Sequence, residues 1–373
     1  MAADTSFWDT LPRPYFSLAP MEDVTDAAFR HIIASKGKPD VFFTEFTSAD
    51  GLVLAPPEGH ARLARKLIFG ADEHRIVAQL FTAVPAHMEE AAAMCRELGF
   101  DGIDINMGCP DKAIEKTGCG SAMIRTPALA KEIIRAAKRG AKDIPVSAKT
   151  RIGYRENELP SWLPALLEEE PANVTIHART RAQMSKVPAQ WERIAEAVAI
   201  RDRMGSRVPI AGNGDVADLA DARAKAAAAG CDGVMLGRAI FGNPWLFYGL
   251  QERRAASSQR DAPAGDAPER AAEGIAPAAL RTASLPEGLG THPDLLWDPY
   301  VPSARERIEA LIAHIEAFDR LLTGYTSFAV MKKHFKAYIN GWDHASDLRA
   351  RLMETTAPAE AIAILTDALD SVR

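Results

Sequence analysis

The segment Asp104-Ile105-Asn106-Met107-Gly108-Cys109-Pro110 gathers a carboxylate, an amide and a thiol around two turn-forming residues. A free cysteine is usually a small buried hydrophobe, and Cys95 and Cys231 read that way, while Cys119 packs in the turn Gly118-Cys119-Gly120-Ser121. Cys109, held between Gly and Pro at the end of an apolar run, reads instead as a thiol facing a cavity. The four cysteines form no CxxC pair, so a special cysteine here is reactive rather than structural, and no metal is expected. Further along, Lys149-Thr150-Arg151 sets two cations two residues apart; in an extended chain they point to one side and ask for an anionic ligand or intermediate. A rim ion pair would account for either cation alone, less readily for both. His177-Ala178-Arg179-Thr180-Arg181 adds an imidazole and more positive charge. In Gly212-Asn213-Gly214-Asp215 and Gly237-Arg238, glycines let backbone N–H groups approach a phosphate, the next helix N-terminus favours the anion, and Arg238 can pair with it. Gln79 is either an amide bonding the edge of a planar heterocycle or a buried amide satisfied by backbone. Pro20, Met21 and Glu22 follow another apolar run and, taken alone, are an ordinary strand exit.

These residues share a place in the pattern. Short β-rich runs at 15–19, 41–44, 76–81, 102–107, 146–149, 174–177, 208–211 and 233–236 alternate with stretches of helical period such as 86–98 and 127–139. Eight such units predict an α/β fold, a (β/α)8 TIM barrel over residues 1–250, in which sites are built where strands end. Nearly every candidate above lies at a strand end. A phosphate site after the last two strands, Lys149 and His177 from the fifth and sixth, and Gln79 from the third outline a mononucleotide lying across the barrel mouth. Residues 251–302, rich in Ala, Pro and charge, read as a low-complexity linker or insertion. Helical period returns over 303–373, which predicts a small C-terminal helical bundle.

Composition sets the outer limits. With 44 Lys and Arg against 50 Asp and Glu, the net charge of -6 argues against a protein that coats nucleic acid or an anionic membrane uniformly. A local basic cleft remains: over residues 320–352 six Lys or Arg, including Lys332, Lys333 and Lys336, face only Asp343 and Asp347. Nothing in the apolar pattern reads as a membrane span or signal peptide, so a cytoplasmic protein is expected.

In this order, LAPMEDVTDAAFR, DINMGCPDK, KTR, HARTR, GNGDV, GVMLGRAIFGNPWLF and MKKHFKAYINGW resemble the tRNA-dihydrouridine synthases over about residues 15–250 and 303–350. The resemblance implies an FMN-bearing barrel with a helical tRNA-binding domain, reducing the C5–C6 double bond of particular uridines with NADPH as reductant. It implies that Pro20, Met21 and Glu22 support the flavin ring, Gln79 bonds its edge, Lys149 sits by its N1 and O2 region, and His177 helps seat flavin or base. Asn213, Gly214, Asp215, Gly237 and Arg238 would hold the phosphate. Asn106, Arg151 and Arg179 would face the substrate, Lys332, Lys333 and Lys336 would meet tRNA phosphates, and Cys109 would be the general acid to C5. The chain departs from the family pattern at Asp23 and Ala178, where Gly is usual, and in the loop Gln183 to Trp191, which lacks a common Gly. A monomer is expected. The competing readings are an FMN barrel that reduces a free pyrimidine or an enone, a Lys149 Schiff-base aldolase, which leaves Cys109 and Gln79 idle, and a non-catalytic tRNA-binding paralogue.

Overall fold

The apolar runs form parallel strands that close on themselves. The structure is a computed structural model and describes residues 6–261 and 297–370. Within these, the strands are β1 (Tyr15–Leu18), β2 (Phe42–Phe43), β3 (Thr47–Ser48), β4 (Ile76–Phe81), β5 (Gly102–Asn106), β6 (Val146–Arg151), β7 (Val174–His177), β8 (Ile210–Asn213) and β9 (Gly233–Leu236). Their order is β1-β9-β8-β7-β6-β5-β4-β2, with β3 also on β4, every pair parallel. A bridge between Ser17 and Val41 joins β1 to the approach to β2 and completes the ring. The barrel is therefore present as expected.

Two strands differ from the sequence reading, for local reasons. The second is split: the Thr44 hydroxyl takes the Gln79 N–H at 3.1 Å, a bond that a ladder carbonyl would otherwise accept, and pairing resumes only at Thr47. The run at 208–211 is displaced to Ile210–Asn213, since Pro209 has no N–H for the ladder and the Val208 N–H goes to Ser206 Oγ at 3.3 Å. The displacement carries Gly212 and Asn213 into the strand and brings the next turn to the barrel rim.

Helices form where caps and proline start them. Asp26 Oδ1 accepts the Phe29 N–H at 2.9 Å and opens helix Ala27–Lys36, and Pro85 and Pro127 open Pro85–Glu97 and Pro127–Ala141 with their fixed φ. Beyond the barrel lie helices Ala304–Leu322, Met331–Tyr338, Ala345–Glu354 and Pro358–Leu369. Ser303 and Glu306 form a capping box at the first. These helices pack on the barrel through Phe29, whose ring stacks on His314 at 4.9 Å and lies 5.0 Å from His334.

Helix Leu250–Asp261 crosses the expected boundary at 250 and is tied to the barrel: Arg254 donates to the Pro14 carbonyl at 2.7 Å and pairs with Asp40. The rest of the presumed linker up to residue 296 lies outside the described residues. No described helix is long and apolar enough to cross a membrane.

Candidate active site at the barrel mouth

A cavity of about 690 Å³ opens where β1, β6, β7, β8 and β9 end. That volume lies inside the range of roughly 300–1,000 Å³ typical of small-molecule sites. Ten of the residues singled out from sequence line it: Pro20 and Met21 after β1, Lys149 on β6, His177 and Arg179 from β7, Asn213, Gly214 and Asp215 from β8, and Gly237 and Arg238 from β9. Ala19, Ser185, Val216, Ala217, Met235 and Ala239 complete the wall. Ser185 belongs to a loop with no periodic signal, so nothing in the sequence could have marked it.

On the β8 and β9 side two glycines, Gly214 and Gly237, enter the wall. Gly214 has φ of 126°, and a Cβ there would stand 2.9 Å from Ala189 Cβ and 3.2 Å from the His177 ring. Only glycine fits both that conformation and that space. Asp215 accepts from Arg179, Arg238 and the Ala189 N–H, the last at 2.8 Å. Hydrogen bonding from Arg179, with both guanidinium charges, holds its carboxyl below the usual range. Arg238 keeps most of its side chain exposed at the mouth.

On the adjoining β6 and β7 side Arg179 is buried and Lys149 half-buried. The Lys149 ammonium makes no hydrogen bond or ion pair among the described residues, and burial, with Arg151 nearby, pushes it down to about 8. An arginine can only donate, so Arg179 Nη1 at 3.2 Å fixes His177 Nε2 as an acceptor, leaving the ring proton on Nδ1. Burial and the surrounding cations depress its pKa well below the ordinary value, which keeps the ring neutral.

Cys109 is not among the residues that line this cavity; it lies within charge-interaction range of Lys149 and Arg151, on a loop pinned at several points. Asn106 Oδ1 accepts the Gly108 and Cys109 N–H groups at 3.1 and 2.9 Å, and the Cys109 carbonyl accepts the Ser121 N–H and hydroxyl at 3.0 and 2.9 Å. Gly120, at φ 60°, passes so close that a Cβ would lie 2.6 Å from the Cys109 carbonyl oxygen. The thiol is half-buried, and desolvation raises its pKa, so it stays protonated at neutral pH.

Other expected site residues are placed elsewhere. Gln79 is fully buried and does not line the cavity, its Nε2 donating to Asp104 Oδ2 at 2.7 Å and its Oε1 accepting from Asn106 at 3.1 Å. Arg151 is 7% exposed; its Nε donates to the Gly108 carbonyl at 2.6 Å and its Nη1 to those of Thr180 and Met184. It ties the Cys109 loop to the Met184 loop. The Glu22 side chain turns away to Lys66. Arg181 is paired with Glu115 and so adds little free charge to the rim. Lys332 donates to the Met353 carbonyl at 2.7 Å, Lys333 is half-buried near Asp26, and Lys336 is exposed. His334, within the same basic run, is completely buried and contributes no surface charge.

A family model described as dihydrouridine synthase matches residues 17–281. The chain belongs to the dihydrouridine synthase family. Among curated relatives, it is 36% identical over 364 residues to a probable tRNA-dihydrouridine synthase of Staphylococcus aureus strain Mu50, covering 97% of this chain and 95% of that one. It is equally similar to the probable tRNA-dihydrouridine synthase 2 of Bacillus subtilis strain 168, with 97% and 96% covered. The aligned length takes in the C-terminal helices as well as the barrel.

Proposed function

We propose that the protein is a tRNA-dihydrouridine synthase that uses FMN and NADPH, with Cys109 as the general acid. The observation that carries this reading is a cation-lined cavity at the barrel mouth with the Cys109 thiol, on a hydrogen-bonded loop, within charge range of its Lys149, in a chain of the dihydrouridine synthase family.

The residues present suit a flavin mononucleotide. Gly214, Gly237, Asn213 and Arg238 offer a backbone-lined, positively charged end for a phosphate. Lys149, free of any partner among the described residues, would meet the electron-rich side of the ring, with Pro20 and Met21 supporting it and His177 seating ring or base. The chemistry an FMN bound here supplies is a hydride for C6 of uracil, drawn from NADPH.

The chain's own residues would complete the reaction. Addition at C6 leaves enolate-like negative charge on the base, so a proton must reach C5. The raised pKa of Cys109 keeps that proton on Sγ until the carbanionic carbon takes it. Asn106, Arg151 and Ser121 hold the loop that carries the thiol, and positive charge at half-buried Lys149 and buried Arg151 would favour the anionic intermediate. The target uridine must leave the tRNA stack to enter, since the cavity admits a base and not a helix. Residues 303–373, with Lys333 and Lys336 accessible, would orient the tRNA over the mouth.

Cys109→Ala tests the assignment. The variant should retain bound FMN and its reduction by NADPH yet lose turnover on tRNA; full activity would remove Cys109 from the mechanism.

A further inference from the structure

Beneath the Cys109 loop lies a line of hydrogen bonds fixed in direction at both ends. Parallel register sets Gln79 opposite Asp104 and Asp104 opposite Ser147, so three polar side chains from β4, β5 and β6 meet in one interior layer of the barrel. All three are completely buried. The Asp104 carboxylate accepts from Ser147 Oγ at 2.6 Å and from Gln79 Nε2 at 2.7 Å. Gln79 Oε1 then accepts from Asn106 Nδ2 at 3.1 Å, and Asn106 Oδ1 accepts the Gly108 and Cys109 N–H groups. An ionised carboxylate can only accept and a backbone N–H can only donate, so these two ends leave each amide a single workable orientation. An apolar residue at 104 would satisfy barrel packing but leave the Gln79 amide free to turn over.

We propose that Asp104 is a positioning residue, whose carboxylate sets the Gln79 and Asn106 amides and through them the backbone that aims the Cys109 thiol. The assignment rests on the proposed role of Cys109, but it makes a claim about loop geometry that can be read without tRNA. Gln79 keeps one amide hydrogen and one lone pair outside the relay, so this role is compatible with bonding a ligand edge. Desolvation holds the Asp104 carboxyl up at about 6, so it is ionised at neutral pH, as the relay requires.

The test compares Asp104→Leu with Asp104→Asn in the flavin-loaded full chain. Asparagine can turn its oxygen to Gln79 and its NH2 to the Ser147 hydroxyl, which already approaches the Ile103 carbonyl at 3.3 Å, so the relay survives without the charge. Leucine breaks it. Asp104→Leu should lower kcat for tRNA by about tenfold or more with KM changed less than about twofold, and Asp104→Asn should recover most of that loss. The rate of Cys109 alkylation by iodoacetamide, measured without tRNA or NADPH, should follow the same order across pH. In an Asn106→Ala background, where the relay is already cut, Asp104→Leu should cost little further in either measurement. Should the leucine variant be insoluble, Asp104→Ser takes its place.

The proposal is overturned if Asp104→Asn falls as far as Asp104→Leu, or if the full loss persists in the Asn106→Ala background. Failure of the underlying functional reading would show separately, as a wild-type protein that makes no dihydrouridine while its alkylation rates still report on the relay.

Discussion

Burial acts on Lys149 and Cys109 in opposite electrical senses, since each is driven toward its neutral form. For the thiol that is the form the proposed mechanism uses, and its raised pKa keeps it protonated across the neutral range. For the lysine it is the idle one. Lys149 is held down at about 8, so it is charged below that pH and neutral above it. Dihydrouridine formation at saturating NADPH should therefore fall as pH rises through about 8. Lys149→Arg should move the fall to higher pH, because a guanidinium stays protonated there; initial rates across neutral and alkaline pH measure it. At this scale the sequence was legible in part. Strand alternation gave the side to which Lys149 and Arg151 point, and the cavity wall agrees for Lys149. It could not show that Arg151 is drawn to the carbonyls of Gly108, Thr180 and Met184, or that Asn106 bonds the thiol loop, because such partners are chosen by tertiary distance. Asp104, the other end of that relay, looked like one more polar residue in a motif.

At the scale of elements, the cavity depends on turns that leave strands early and close to one another. The β8 exit is the clearest case: Asn213 Nδ2 donates to the Met235 carbonyl at 2.8 Å across to β9, the Gly214 carbonyl accepts from Trp191 Nε1 at 2.8 Å, and Gly214 itself has no room for a side chain. Gly214→Ala should destabilise the protein by about 1–3 kcal/mol, from the strained φ together with contact on Ala189. It should also release much of the flavin on purification. Thermal melting and visible flavin absorbance check the two effects, and an alanine variant with wild-type flavin content would count against this turn as the phosphate cradle. The glycine-rich exits were readable as signals, and so was the helical period over 86–98 and 127–139. The split of the second strand was not, because it arises from one hydroxyl, on Thr44, taking a ladder bond.

For the whole molecule, the barrel and the C-terminal helices are joined over a buried aromatic cluster that includes two histidines. His314 and His334 lie 4.6 Å apart, between Phe29 and Phe241, with Tyr338 near His314. The ring nitrogens of both histidines lack hydrogen-bond partners among the described residues. Desolvation depresses both, His334 to about 3, with Lys333 opposing its protonation further. Between that pH and about 6.5 the unfolded chain binds more protons than the native one, so stability is complete above about 6.5 and falls as pH drops, by up to about 1.4 kcal/mol per pH unit for each histidine. Melting temperature should decline on acidification, and replacing both with Phe should flatten that decline; an unchanged slope would place the acid sensitivity elsewhere. In sequence His334 was indistinguishable from the lysines around it, since its helix turns it inward and leaves Lys336 outward. The surface proposed to meet tRNA is thus less basic than the string of residues suggests, with Lys332 and Arg181 already engaged. Whether this barrel mouth and the Cys109 thiol reduce uridine in tRNA is read by mass spectrometry of tRNA lacking dihydrouridine after incubation with the purified, flavin-loaded chain and NADPH. A gain of two hydrogens at particular uridines, absent with Cys109→Ala, is the predicted result; wild-type protein that oxidises NADPH and leaves the tRNA unchanged would contradict it.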